Sequence, residues 1–297
     1  LVSAACLLAA ACGERDSAPP EPVADPATAT DVAQGQLTGY VSPQGAYVWH
    51  AIPYAAPPVG DLRWRAPRPA AEWTGNRESL TRAERCPQIT NSLDEGRGVE
   101  AGMRVGSEDC LYLDVYAPPN ADGVPVMVWI HGGANVWGSI EAYDGSQLAM
   151  DQNVVVIMVQ YRLGPLGWFS HPALREGAQL PEDAAADFAI LDLIEALRWT
   201  RENAGAFGGD PERVTIFGES AGGHNVAALL ASPLADGLFD RAIIQSGSVA
   251  SYPVAEAEGR SGEAVNPSLT IAERLVGENA SGDDLRGVDL DSLFAAY

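Results

Sequence analysis

The 297 residues carry 40 acidic side chains against 18 basic ones, a net charge of -22. That balance argues against nucleic acid, an anionic membrane surface or a strongly anionic substrate as partner, and reads first as a solvated acidic surface. A hydrophobic content of 46% and this length are ordinary for one large α/β domain, and no apolar run approaches the ~20 residues of a membrane span.

Residues 1–12 (LVSAACLLAAAC) read as the tail of a secretory signal ending in a lipobox-like cysteine. Cys12 follows Ala10 and Ala11 and precedes Gly13, with Ala9 where a Leu is usual. This makes Cys12 the lipidation candidate and implies an exported bacterial protein, periplasmic or anchored in the cell envelope. The charged start of a signal and an initiating Met are both absent, as if the chain began within the signal. Residues 13–34, rich in Pro, Ala and acids and without periodicity, read as a disordered tether. The globular part is 35–297.

Stretches 36–41 and 46–50, separated by Ser-Pro-Gln-Gly, suggest a β-hairpin. A proline-punctuated loop follows. Stretch 111–116 alternates as a strand, whereas 124–130 and 154–161 are near-continuous apolar runs, as expected of strands buried on both faces. The clearest helix spans 181–203, with a stripe of Ile190, Ile194 and Leu197 widened by Leu191, Leu193 and Trp199. Then come a strand at 214–217, a helix from Ala221 to about Leu230, a strand at 241–245 and a weak helix at 269–276. Strand and helix alternate, so the expected fold is α/β, with a mostly parallel central sheet and helices on both faces. Of the four cysteines, Cys86 and Cys110 lie in this body. As a disulfide they would remove ~3.5 kcal/mol of unfolded-state entropy on the chain-entropy model; as two free buried thiols they would act as small apolar groups.

Chemistry points to Gly218-Glu-Ser-Ala-Gly222. Alone, Gly-x-Ser-x-Gly also fits a plain turn. Between a β-branched strand and a helix it describes a nucleophile elbow, the strand–turn–helix of the α/β-hydrolase fold. Gly218 and Gly222 give the room, Ser220 is held at the tip, and the Ala221 N–H points where an oxyanion would form.

Around it, blocks occur in a telling order: IPYAAPPVGDLRWRAP, RCPQ, SEDCLYLDVYAP, VMVWIHGGA, NVVVIMVQYRLGPLGW, LRWTRENAGAFGGDPERVTIFGESAGG and FDRAIIQSGS. Over residues 35–250 the chain resembles the type-B carboxylesterase family, which includes the cholinesterases. The resemblance implies a serine hydrolase of small carboxylic esters that needs no cofactor and no metal. It makes Ser220 the acyl nucleophile and the backbone N–H groups of Gly133, Ala134 and Ala221 the oxyanion donors, with Ala134 where most relatives have a third Gly. It pairs Cys86 with Cys110. It suggests Glu219 as a buried carboxylate beside the nucleophile and Ser246 as support for the family's acid.

A serine needs a base, and the base an orienting acid. Only His224 of the four histidines follows Ser220, four residues along the same helix, where it lies over the helix surface. His50, His131 and His171 precede it. No residue is therefore assigned as base or acid, and the chain reads as a hydrolase truncated on its C-terminal side. The alternative is a non-catalytic binding or adhesion module on the same fold. Trp137, Trp168 and Phe169, after strand ends, are candidates for a gorge lining or for core. Oligomeric state is not legible.

Overall fold

The computed structural model describes residues 21–95, 98–249 and 251–297. The signal-like segment and Cys12 lie outside them.

Seven strands form the central sheet: β1 (Tyr40–Val41), β2 (Tyr47–Pro53), β3 (Tyr112–Ala117), β4 (Val124–Ile130), β5 (Val155–Val159), β6 (Gly209–Glu219) and β7 (Arg241–Gln245). Their spatial order is β7-β6-β4-β5-β3-β2-β1. The pairs among β7, β6, β4 and β5 are parallel, and those from β5 through β3 and β2 to β1 are antiparallel. The sheet is thus mixed rather than mostly parallel. Within the antiparallel half only β1 and β2 are joined by a short loop, over 42–46, and the connection from β2 to β3 runs over 54–111. The hairpin is confirmed only in its tip, as β1 on β2; Gly35–Thr38 pairs instead with Thr30–Val32 and Asn76–Glu78.

Helices α1 (Ser146–Gln152), α2 (Phe188–Asn203) and α3 (Ala221–Ala231) join the parallel strands. Alternation along β5 divides the core. Val155, Ile157 and Val159 pack with α2 and α3, while Val156 and Met158 pack with Ala149 of α1, Tyr116 and Trp129. Helices therefore cover both faces. The expected stripe of α2 is buried throughout, with Leu193, Ile194 and Leu197 each 1% exposed.

Three expectations shift at their edges. The helix expected over 181–203 begins at Phe188, because Pro181–Ala184 is a 3-10 turn and the chain is extended at Ala185. That turn is organised by the buried Asp183 carboxylate, which accepts from the N–H groups of Gln179, Leu180 and Ala66 and from Arg68. The tether expected through residue 34 does not extend over residues 26–32, which form a 3-10 turn and a strand. Thr28 is fully buried and its carbonyl accepts from Trp49 Nε1 at 2.9 Å, while Thr30 Oγ1 donates to the Ala206 carbonyl. Apolar periodicity is absent there because side-chain and backbone hydrogen bonds, not a hydrophobic stripe, attach the segment. Beyond the weak helix, seen here as α4 (Ser268–Val276), lie α5 (Gly282–Arg286) and α6 (Leu290–Ala296). Ile271, Leu285 and Leu293 carry all three into the core.

Two supports hold the loops at the carboxyl end of β5. Arg162 forms a buried fork with Asp192 of α2, through Nη2–Oδ1 at 2.6 Å and Nε–Oδ2 at 2.8 Å. Cys86 and Cys110 are joined in a disulfide, with their Cα atoms 5.1 Å apart.

Candidate active site

Three parallel strands end level with one another. Gly218 of β6 pairs with Ile130 of β4, and Glu219 with Gln245 of β7. The loops that leave their carboxyl ends begin with His131, Ser220 and Ser246, so residues distant in sequence meet at one edge of the sheet, the usual position of a site in an open α/β sheet.

The turn at Ser220 is strained. Its φ is 55° and its ψ is -121°, a conformation a non-glycine residue holds only when its surroundings enforce it, at a cost of about 1–3 kcal/mol. Enforcement comes from both sides: the Ser220 N–H donates to the Gln245 carbonyl at 2.9 Å, and its carbonyl accepts from His224 N at 3.0 Å. Close packing requires the flanking glycines. A Cβ on Gly222 would stand 2.1 Å from the Ile130 carbonyl oxygen, and one on Gly218 would stand 2.6 Å from the Gly222 carbonyl. The half-buried Ser220 therefore sits at the N-terminus of α3, whose dipole favours negative charge there.

The loop after β4 lies directly against this turn, for a Cβ on Gly132 would come within 3.3 Å of Ser220 Cβ. Val136 N donates to the Gly133 carbonyl at 3.0 Å across Ala134 (φ 53°) and Asn135 (φ 59°), the pattern of a type I′ turn. Among the described residues nothing accepts a hydrogen bond from the N–H groups of Gly133, Ala134 or Ala221. These three N–H groups lie on the two segments that meet at Ser220. Such free, fixed N–H groups suit a developing oxyanion.

His131 forms the floor of the loop. Burial lowers its pKa to about 4, although the Gly132 carbonyl, 2.8 Å from Nδ1, works in the opposite direction. The ring stacks on Tyr161 with centroids 4.5 Å apart, and Tyr161 donates to the His131 carbonyl at 2.6 Å. His224 Nδ1 is occupied by the backbone of Ser248, which it meets at 2.6 Å (carbonyl) and 2.9 Å (N–H). Among the described residues no side chain hydrogen-bonds the Ser220 hydroxyl.

Other expectations fare unevenly. Glu219 is exposed rather than buried, and Ser246 is exposed with a φ of 53°. Phe169 is core, stacked on Trp64 at 4.8 Å, while Trp137 and Trp168 are half-buried. Sequence reasoning missed Asn135 and Asn225, which the fold brings together. The signal was an Ala-Asn pair after two glycines, since Asn tolerates positive φ and marks a turn.

The carboxylesterase family model matches residues 26–276. The para-nitrobenzyl esterase of Bacillus subtilis (strain 168) is 43% identical over 217 residues, covering 72% of this chain and 42% of that protein. Human cocaine esterase is 44% identical over 210 residues, covering 68% of this chain and 36% of that one. A solved structure of PNB esterase superposes with a TM-score of 0.78 at 37% identity, over 91% of this chain and 53% of the other. The chain therefore spans roughly 36–53% of the length of these relatives. With the α/β-hydrolase sheet and the strand–turn–helix at Ser220 in place, the chain belongs to the carboxylesterase family.

Proposed function

We propose that this chain carries the nucleophile and oxyanion half of a serine carboxylesterase. The observation that carries the reading is the strained Ser220 turn at the head of α3, facing a loop whose Gly133 and Ala134 N–H groups are free. Ser220 Oγ attacks the ester carbonyl, the oxyanion settles on the N–H groups of Gly133, Ala134 and Ala221, the alcohol leaves, and water cleaves the acyl-enzyme. The base and acid come from chain beyond these residues, since His224 is engaged with Ser248. Substrates are small carboxylic esters without strong negative charge, in keeping with the net charge of -22 and with relatives named para-nitrobenzyl esterase and cocaine esterase. No cofactor or metal takes part in these steps. Export, with a lipid anchor on Cys12, places the reaction in the cell envelope and favours the Cys86–Cys110 bond.

The test is fluorophosphonate labelling and para-nitrophenyl ester turnover by the natural full-length protein. Ser220→Ala should abolish the label and lower turnover at least about a thousandfold. An unlabelled natural protein that binds esters without cleaving them would replace this reading with that of a binding module.

A further inference from the structure

Asn225, 2% exposed on the second turn of α3, faces Asn135 of the donor loop. The two amides bond reciprocally: Asn225 Nδ2 donates to Asn135 Oδ1 at 2.9 Å, and Asn135 Nδ2 donates to Asn225 Oδ1 at 3.2 Å. Asn135 is held further by Tyr161, whose hydroxyl lies 3.4 Å from Oδ1, and by Gly164 N, which donates to its carbonyl at 2.7 Å. The pair spans the two segments that carry the candidate oxyanion donors. Asn135 follows Gly133 and Ala134 directly, and Asn225 lies on the helix that opens with Ala221.

What needs holding is the turn. Ala134 occupies the left-handed region, where a Cβ is unfavourable, and a small outward relaxation would carry the Ala134 N–H with it. Oxyanion stabilisation depends on donor placement to a few tenths of an ångström. We infer that Asn135 and Asn225 form an amide clamp that fixes the strained Gly133–Ala134 turn against α3, and so sets the separation between the two sets of oxyanion donors. They are positioning residues: neither touches the reacting atoms. The inference rests on the reading of Ser220 as an acyl nucleophile.

The clamp stabilises the transition state and not the bound ester, so it should appear in kcat and leave KM alone. The decisive variant is Asn225→Ala, which breaks the pair without altering the turn residues. In the natural full-length protein it should lower kcat for a para-nitrophenyl ester about tenfold, with KM within about twofold. The rate of fluorophosphonate labelling should fall in parallel. Ala134→Gly removes the conformational cost at that position, so the Asn225→Ala penalty should shrink to about threefold in the Ala134→Gly background. A merely structural amide pair would show the same penalty in both backgrounds. If Asn225→Ala fails to fold, Asn135→Gly replaces it, since that position is half-buried and already at positive φ.

An active natural protein whose Asn225→Ala variant keeps kcat/KM within twofold, or loses as much in the Ala134→Gly background as in the natural one, overturns the clamp alone. A natural protein with no Ser220-dependent turnover or labelling overturns the clamp and the esterase reading together.

Discussion

Strand β6 has a parallel neighbour on each side, and the two sides differ sharply. On one, β4 is enclosed: Val126, Val128 and Ile130 are at most 1% exposed, and its loop is pinned by Tyr161, Asn225 and the close approach of Gly222. On the other, β7 has β6 as its one strand partner among the described residues, and Ile243 and Ile244 are 44% and 41% exposed. Both sides touch the elbow. Gln245 accepts from Ser220 N, and a Cβ on Gly247 would come 2.4 Å from Gly223. The lesson is a contrast around one strained residue: the β4 side is packed and pinned, and the β7 side presents, among the described residues, an open edge beside Ser220.

That contrast can be broken on its enclosed side. Gly222→Ala forces a methyl to 2.1 Å from the Ile130 carbonyl, which only a backbone shift can relieve. A loss of about 3 kcal/mol in urea unfolding is expected, with labelling of Ser220 lost alongside. Survival of both would mean that β4 is less rigid than its packing indicates.

Acid acts more gently, and at a different place, the turn before α2. Burial alone would raise the Asp183 pKa, but Arg68 and the N–H groups of Gln179, Leu180 and Ala66 outweigh it and bring the pKa down to about 2, from an ordinary 3.8. Because the folded value is depressed, its contribution is fully present above about pH 4 and is lost as pH falls toward 2. That contribution is about 2 kcal/mol. Urea midpoints recorded across this window should fall more steeply for the natural protein than for Asp183→Asn. Equal slopes would remove Asp183 from the account.

The smallest effect belongs to the open side. Ile244→Lys on β7 should change stability by no more than about 0.5 kcal/mol, as for an exposed residue. A larger fall in the Tm of the natural full-length protein would show that something covers β7 there, and the contrast between the two sides would narrow.

Much of the enclosed side was legible in the sequence, because its signals are local. The runs at β4 and β5 announce strands buried on both faces, and a Gly-x-Ser-x-Gly between strand and helix announces the elbow. The start of α2 was missed because a buried carboxylate, Asp183, ends one turn and lets the chain extend before the next begins. The Thr30–Val32 strand was missed because its attachment uses hydrogen bonds to residues as far away as Ala206. The same holds for Asn135 and Asn225, 90 residues apart. Periodicity reports which face is apolar, and it is silent about which distant amide will complete a pair.

The buried imidazole under the loop after β4 has a consequence for pH dependence. With its pKa held near 4, His131 stays neutral across the range in which ester cleavage is ordinarily measured. It adds no positive charge beneath the Gly133–Ala134 turn in mild acid and withdraws none in mild alkali. A pH–rate curve with an inflection near neutrality would therefore be reporting on a different titrating group, free of interference from the histidine already lying beneath the loop.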